Sequence, residues 1–168
     1  MVKWIVRILL VGLIVLLALE LRSRFLPDET KIEKRLDKLE EILTKNKDDG
    51  GTDLLVKSQR LPDLLEDPCR LKLPDYDLDV KLTPREAASE LARMHSRLEV
   101  LTVNFMDVEI EVVENTATVN CTVRVMGNDQ VGSDPGTDTV EMICELRKSD
   151  EDGIWRFAVF RQIDVLKR

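Results

Sequence analysis

Val108–Val125, VEIEVVENTATVNCTVRV, decides the fold. Val108, Ile110 and Val112 alternate with Glu109 and Glu111. Beyond Glu114-Asn115, Ala117, Val119, Cys121, Val123 and Val125 alternate with Thr118, Asn120, Thr122 and Arg124. A period of two sends successive side chains to opposite faces of a strand, so this stretch reads as a hairpin with one apolar and one polar face. A two-residue turn at Glu114-Asn115 sets Val112 opposite Ala117, Ile110 opposite Val119 and Val108 opposite Cys121.

The pattern continues downstream. Val140, Met142, Cys144 and Leu146 share one face, and folding about the loop from Gly127 to Thr137 sets Cys144 opposite Cys121 and Leu146 opposite Val119. The loop Ser149 to Asp152 then brings Trp155 opposite Leu146 and Phe157 opposite Cys144. On the outer face this register pairs Arg124 with Glu141 and Glu145 with Arg156. Trp155, Phe157, Leu146, Val119 and Ile110 form the expected core, and Cys121 and Cys144 are expected as neighbouring free thiols.

Upstream the period changes. Ile32, Leu36, Leu39, Ile42 and Leu43 recur at helical spacing over 29–45. A turn cluster at Asn46–Gly51 precedes a short helix over 52–60, capped by Thr52 or Asp53. Two short strands, 69–73 and 78–82, flank Pro74-Asp75. Thr83-Pro84-Arg85-Glu86 is a capping box opening a helix over 84–102. The long strands span about 105–113, 116–126, 138–148 and 154–165. The fold class is α+β: a curved antiparallel sheet of two short and four long strands wrapped around three helices.

The amino terminus is different in kind. Ile8–Leu19 is an uncharged apolar run, and Trp4 to Leu21 reaches about 18 positions, enough to span a bilayer. No A-x-A-like cleavage site follows, so residues 1–26 are expected as an uncleaved single-pass transmembrane anchor and 27–168 as the folded domain. The lipid bilayer is thus the expected partner of residues 4–21. Resemblance to a secretory signal places the domain outside the cytoplasm, although the balance of basic residues around the run favours the reverse.

Composition narrows function. The chain has 168 residues, 25 Lys+Arg against 32 Asp+Glu and a net charge of −7. Residues 1–24 hold four basic residues and one acid, so the remainder carries −10. Such an acidic domain lacks the basic face that nucleic acid requires. One His and three Cys without paired spacing support neither a zinc site nor thiol catalysis, and no cofactor is expected.

The Val108–Val125 hairpin with its Ala-Thr-Val after the turn, and Asp152-Gly153-Ile154-Trp155-Arg156-Phe157 with its Gly-x-Trp-x-hydrophobic pattern, resemble the nuclear transport factor 2-like (SnoaL-like) superfamily. The resemblance covers roughly Glu29 to Lys167 and implies a cone with a pocket at its wide end. Members that are isomerases, dehydratases or hydrolases place Asp, Tyr or His inside the cone. Here the strand residues of inward parity are apolar apart from Arg161, a candidate for an anionic ligand at the cone mouth. His95, at the border of the third helix stripe, is the other pocket candidate, and Tyr76 reads as a surface or lid residue. Ile143, Ala158 and Phe160 share the outer parity and form a candidate interface for a homodimer. An anchor before this fold also resembles assembly components of type IV secretion systems, which implies an envelope protein partner. The expected function is a membrane-anchored, non-catalytic binding or assembly module; the alternative is a SnoaL-like enzyme acting on a small molecule in the cone.

Overall fold

A computed structural model describes residues 27–129 and 136–163; the expected anchor, residues 1–26, lies outside them. Three helices, α1 (Asp28–Leu43), α2 (Gly51–Arg60) and α3 (Pro84–Arg97), pack on six strands. The strands are β1 (Leu65–Leu73), β2 (Leu78–Leu82), β3 (Leu98–Val113), β4 (Thr116–Asp129), β5 (Gly136–Lys148) and β6 (Trp155–Gln162), with 3₁₀ turns at Leu61–Leu64 and Pro74–Tyr76. Among the described residues no helix is long and apolar enough to cross a membrane.

Local chemistry explains the helices. α1 opens with Asp28 and Glu29 at the positive end of its dipole and buries Ile32, Leu36, Leu39 and Ile42 as one stripe. The Asp53 carboxylate accepts the Gly50 N–H at 3.0 Å, so α2 starts before the expected caps. α3 has the expected box, with Glu86 N–H donating to the Thr83 hydroxyl at 3.3 Å and Thr83 N–H to Glu86 at 2.8 Å. It stops at Arg97 instead of 102. The run Val100-Leu101-Thr102-Val103, three of its four residues β-branched, enters the sheet, which lengthens β3 to 16 residues.

The strands run in the order β2-β1-β6-β5-β4-β3. The expected all-antiparallel sheet needs one correction: β1, longer than expected, pairs with β6 in parallel, Leu71 beside Phe160. The β3–β4 turn falls where expected, with Val112 opposite Ala117 and Ile110 opposite Val119. Farther along β3, Asp107 and Val108 form a bulge, with Asp107 at φ 51°. The bulge reverses the parity, so Phe105, Val103 and Leu101 face inward and Val108 is exposed. At this edge strand, Glu40 of α1 accepts the Phe105 N–H at 2.9 Å and the Thr44 hydroxyl accepts the Val103 N–H at 3.2 Å.

The later strands keep the expected parity as far as Phe157 in β6 but slip by two residues. Cys144 lies opposite Val119 and Leu146 opposite Ala117, so Cys121 faces Met142 rather than Cys144. Trp155 pairs with Lys148 and Phe157 with Leu146. The expected outer-face ion pairs are therefore absent from the register: Arg124 sits beside Thr139 and Glu145 beside Val159. Arg147 and Arg156 become neighbours, and each instead meets an acid, Glu66 at 3.4 Å and Asp152 at 2.5 Å respectively. Parity was what the core needed. Trp155, Phe157, Leu146 and Val119 are all buried, with Ile110 packed against them. Cys69, Cys121 and Cys144 are buried free thiols.

Asp28 ties the start of α1 to the sheet. It receives Lys31 at 3.0 Å, Lys148 at 3.0 Å and the Trp155 indole N–H at 3.3 Å. Burial alone would raise its carboxyl, but these donors outweigh burial and hold its pKa at about 2. A depressed carboxyl contributes stability above its unfolded pKa of about 3.9 and loses it as pH falls toward the folded value. Partial exposure screens the network, so the contribution is about 1 kcal/mol. Asp28→Asn should therefore be less stable than wild type at neutral pH, with the gap closing between about pH 4 and pH 2 in acid-unfolding curves.

Candidate functional site

The inner face of the sheet and helices α1 and α3 enclose a cavity of about 660 Å³. That is within the roughly 300–1,000 Å³ of small-molecule sites. Leu71, Leu91, Val103, Val123, Met142 and Phe160 represent the six elements that furnish most of its wall. Phe160 reaches the wall because Ala158 is an extra residue between the pairs Phe157–Leu146 and Val159–Glu145. This bulge reverses parity along β6, and Phe160 then stacks on Phe157 with centroids 5.2 Å apart.

The same bulge revises two expectations. Arg161 is exposed on the outer face beside Ile143, not at the cone mouth. The proposed outer patch is divided: Ile143 stays outside, Ala158 is buried, and Phe160 lines the cavity. Period-two counting has no means of registering an inserted residue.

His95 is buried, but it does not line the cavity. Its Nε2 lies 2.9 Å from the Leu43 carbonyl, joining α3 to the end of α1. Burial lowers its pKa below the ordinary histidine value, which favours the neutral ring. Beside it, buried Lys45 donates to the carbonyls of His95 at 2.7 Å and Leu98 at 2.6 Å. These contacts define a structural role.

Polar groups gather at the cavity rim. Tyr76, on the turn between β1 and β2, donates its hydroxyl to Asp138 at the start of β5. That hydrogen bond, assisted by burial, raises the phenol's pKa above its ordinary value. The adjacent Asp75 accepts Gln162 Nε2 at 2.5 Å. Glu90 of α3 completes the rim and is paired with Arg93 at 3.2 Å. Asp138 escaped the sequence reading because it opens its strand, although it shares the inward parity of Val140 and Met142. Tyr76 belongs to the rim, as a lid residue would.

Deeper in, the wall offers little chemistry. Cys69 is the one thiol lining the cavity, and burial pushes its pKa up to about 12, so it stays protonated. No metal-binding cluster of His, Cys, Asp or Glu occurs among the described residues. The cone can hold an apolar molecule and hydrogen-bond it at the rim.

Neither a family model nor a curated protein sequence matches the chain. Solved structures do match in fold. An NTF2-like protein with a cystatin-like fold from Novosphingobium aromaticivorans aligns with a TM-score of 0.63 at 16% identity, covering 86% of each chain. A protein of the same organism described as a scytalone dehydratase gives 0.65 at 15%, over 80% of this chain and 82% of the other. A protein described as a dehydratase of the NTF2-like family from Streptomyces avermitilis gives 0.63 at 15%, over 83% and 97%. At such identities the likeness establishes the fold, and that fold is NTF2-like.

Proposed function

We propose that the domain is a non-catalytic binding module whose cone holds an apolar small molecule, carried on a membrane anchor formed by residues 4–21. The observation that carries this reading is the cavity wall: about 660 Å³ lined almost wholly by apolar side chains, with its carboxylates confined to the rim. General acid–base chemistry needs a titratable group against the reacting atoms, and among the described residues the deep wall supplies only a thiol held protonated. The anchor is supported by Ile8–Leu19 and its missing cleavage site. The bilayer is the partner this reading requires; a homodimer has lost the apolar patch that suggested it, while an envelope protein partner rests on the anchor preceding this fold.

A second reading, a SnoaL-like isomerase, dehydratase or hydrolase, draws on the Tyr76–Asp138 pair and on the neighbours described as dehydratases. One experiment separates the two. The full chain, which should stay with membranes through an alkaline carbonate wash, is reconstituted in nanodiscs and heated with a panel of neutral ring alcohols. Members that enter the cone should raise the unfolding temperature in wild type but not in Val123→Trp, which fills the cavity, and should be recovered unchanged. Recovery of dehydrated or isomerised product would establish the second reading. Absence of any stabilisation would overturn both.

A further inference from the structure

The helices pack on the inner face of the sheet, and two rows of outward side chains cross all six strands on the other face. From β3 to β2, one row runs Glu111, Thr118, Glu145, Val159, Arg70, Lys81. The other runs Glu109, Asn120, Ile143, Arg161, Lys72, Asp79. Charge is segregated along both. The β3–β5 half of the rows holds three acids and no base, and the β6–β1–β2 half holds four bases and one acid. That acid, Asp79, is already bound by Arg70 at 2.7 Å, the sole ion pair closed within the rows among the described residues. Glu109, Glu111, Lys81 and Arg161 are exposed.

Such a face is complementary to itself under one operation. Two sheets packed face to face as identical copies are related by a twofold axis lying in the plane between them. An axis parallel to the strands, between β5 and β6, sets β3 of one copy on β2 of the other, β4 on β1 and β5 on β6. Glu111 then faces the second copy's Lys81, Thr118 its Arg70 and Asn120 its Lys72, with Ile143, Glu145 and Val159 along the axis. Glu109 faces Asp79, whose charge Arg70 already meets. An axis across the strands would instead lay β3 on β3 and acid on acid.

The path of the chain selects the same axis independently. Asp28 binds Lys148 and the Trp155 indole, so residue 27 enters the domain at the end of the sheet where β5 stops and β6 starts. A strand-parallel axis keeps that end of both copies on one side, as two anchors in a single bilayer require. The crosswise axis sends the two ends to opposite sides. The shared end counts only on the reading of residues 4–21 as an anchor; the segregation of charge holds without it.

We infer that the outer face of the sheet is an interface with a second copy of this chain, acidic half on basic half about an axis parallel to the strands. Of the interface residues expected from the sequence, only Ile143 lies on it, beside Val159 at the centre. The charges flank that centre and exclude the crosswise arrangement, which is how complementary potentials confer specificity. With strands about 4.8 Å apart, six span about 24 Å, and the 13 residues of β5 run about 44 Å. A face of that order can supply the roughly 800 Å² per partner of a standard interface.

Charge reversal can both break and remake this pairing. One full-length variant carries Glu109→Lys with Glu111→Lys, the other Lys72→Glu with Lys81→Glu. Each chain is coexpressed under two different affinity tags, solubilised in detergent, and pairing is read as recovery of the second tag with the first. Wild type should co-purify with itself. Each variant alone should do so about tenfold less, because like charges then face each other across the axis. The two variants together should return to near the wild-type level, since the new lysines of one meet the new glutamates of the other. That recovery also shows that both variants fold. Wild-type pairing should weaken as sodium chloride rises from about 50 to about 500 mM, which shortens the reach of exposed charges. A monomeric wild type would overturn the inference and leave the face to a different protein. Self-pairing of either variant at the wild-type level would overturn it too, placing the contact elsewhere, the anchor included. So would a mixed pair that does not recover, or wild-type pairing indifferent to salt. A carbonate wash reports on the anchor alone, so failure of the dimer and failure of the anchor are told apart.

Discussion

Replacing Trp155 by alanine is expected to destabilise the domain by about 3–5 kcal/mol, the usual loss for a large buried aromatic. Trp155 is 1% exposed and packs with Phe157, Leu146 and Ile32, so truncation opens a void that neighbouring strands cannot readily close. The indole also donates to Asp28 and lies 5.6 Å beneath the Lys148 ammonium, so the same substitution removes a donor from the network that keeps Asp28 ionised. Trp155→Phe separates these contributions: the ring stays, the N–H goes, and the loss should fall to about 1–2 kcal/mol. Urea unfolding followed by far-ultraviolet circular dichroism measures both. A loss below about 1 kcal/mol for the alanine variant would mean that Trp155 does not sit in the core. Against a total stability of about 5–15 kcal/mol, the expected loss is a substantial part of the whole.

Trp155 also shows why so much of the core could be read from sequence. Burial requires parity, not register, so a two-residue slip between β4, β5 and β6 left Val119, Cys144, Leu146, Trp155 and Phe157 inward. What fixes register is turn geometry. The Glu114-Asn115 turn is short, and the pairs beside it, Val112 with Ala117 and Ile110 with Val119, fall where expected, while Val108 opposite Cys121 is lost to the bulge; the Gly127 to Thr137 loop is long, and there the count slips. The apparent attraction of Arg124 for Glu141 and of Glu145 for Arg156 supported the slipped register. In the observed register Arg147 and Arg156 find their acids off this face, at Glu66 and Asp152, so the outer-face pairing carried no information about register.

Parity itself failed only at the two bulges. Asp107-Val108 brings Phe105 and Val103 inward, and Ala158 sends Arg161 outward and Phe160 into the cavity. Nothing in an alternating apolar pattern marks such an insertion when both flanking residues are themselves apolar, as at Phe157-Ala158-Val159. The site suffered more than the fold for this reason. Asp138 was legible, being two residues before Val140, but its hydrogen bond to Tyr76 joins residues 62 positions apart and depends on where β5 is placed against the β1–β2 turn. The Lys45 contacts with α3 span comparable distances and have no sequence signature.

Lys45 carries the second large effect. It is 9% exposed, and its ammonium donates to the carbonyls of His95 and Leu98 where α3 ends and β3 begins. The last carbonyls of a helix lack intrahelical partners and carry the negative end of its dipole, so a buried cation there does the work that water does at an exposed end. The Lys45 backbone is fixed as well, exchanging hydrogen bonds with Leu101 at 2.7 and 3.0 Å. Lys45→Met keeps the aliphatic stem and the backbone pair but leaves the two carbonyls without their ammonium donor. A cost of about 2–4 kcal/mol is expected, since stranded acceptors forfeit their desolvation as well as their bond. The loss should be local in origin. Amide exchange in wild type and Lys45→Met should differ first at the end of α3 and the start of β3, around residues 95–101, while the β4–β5 ladder changes only with global unfolding. A Lys45→Met variant as stable as wild type would show that solvent already satisfies those carbonyls, and that the pin between α1, α3 and β3 contributes nothing.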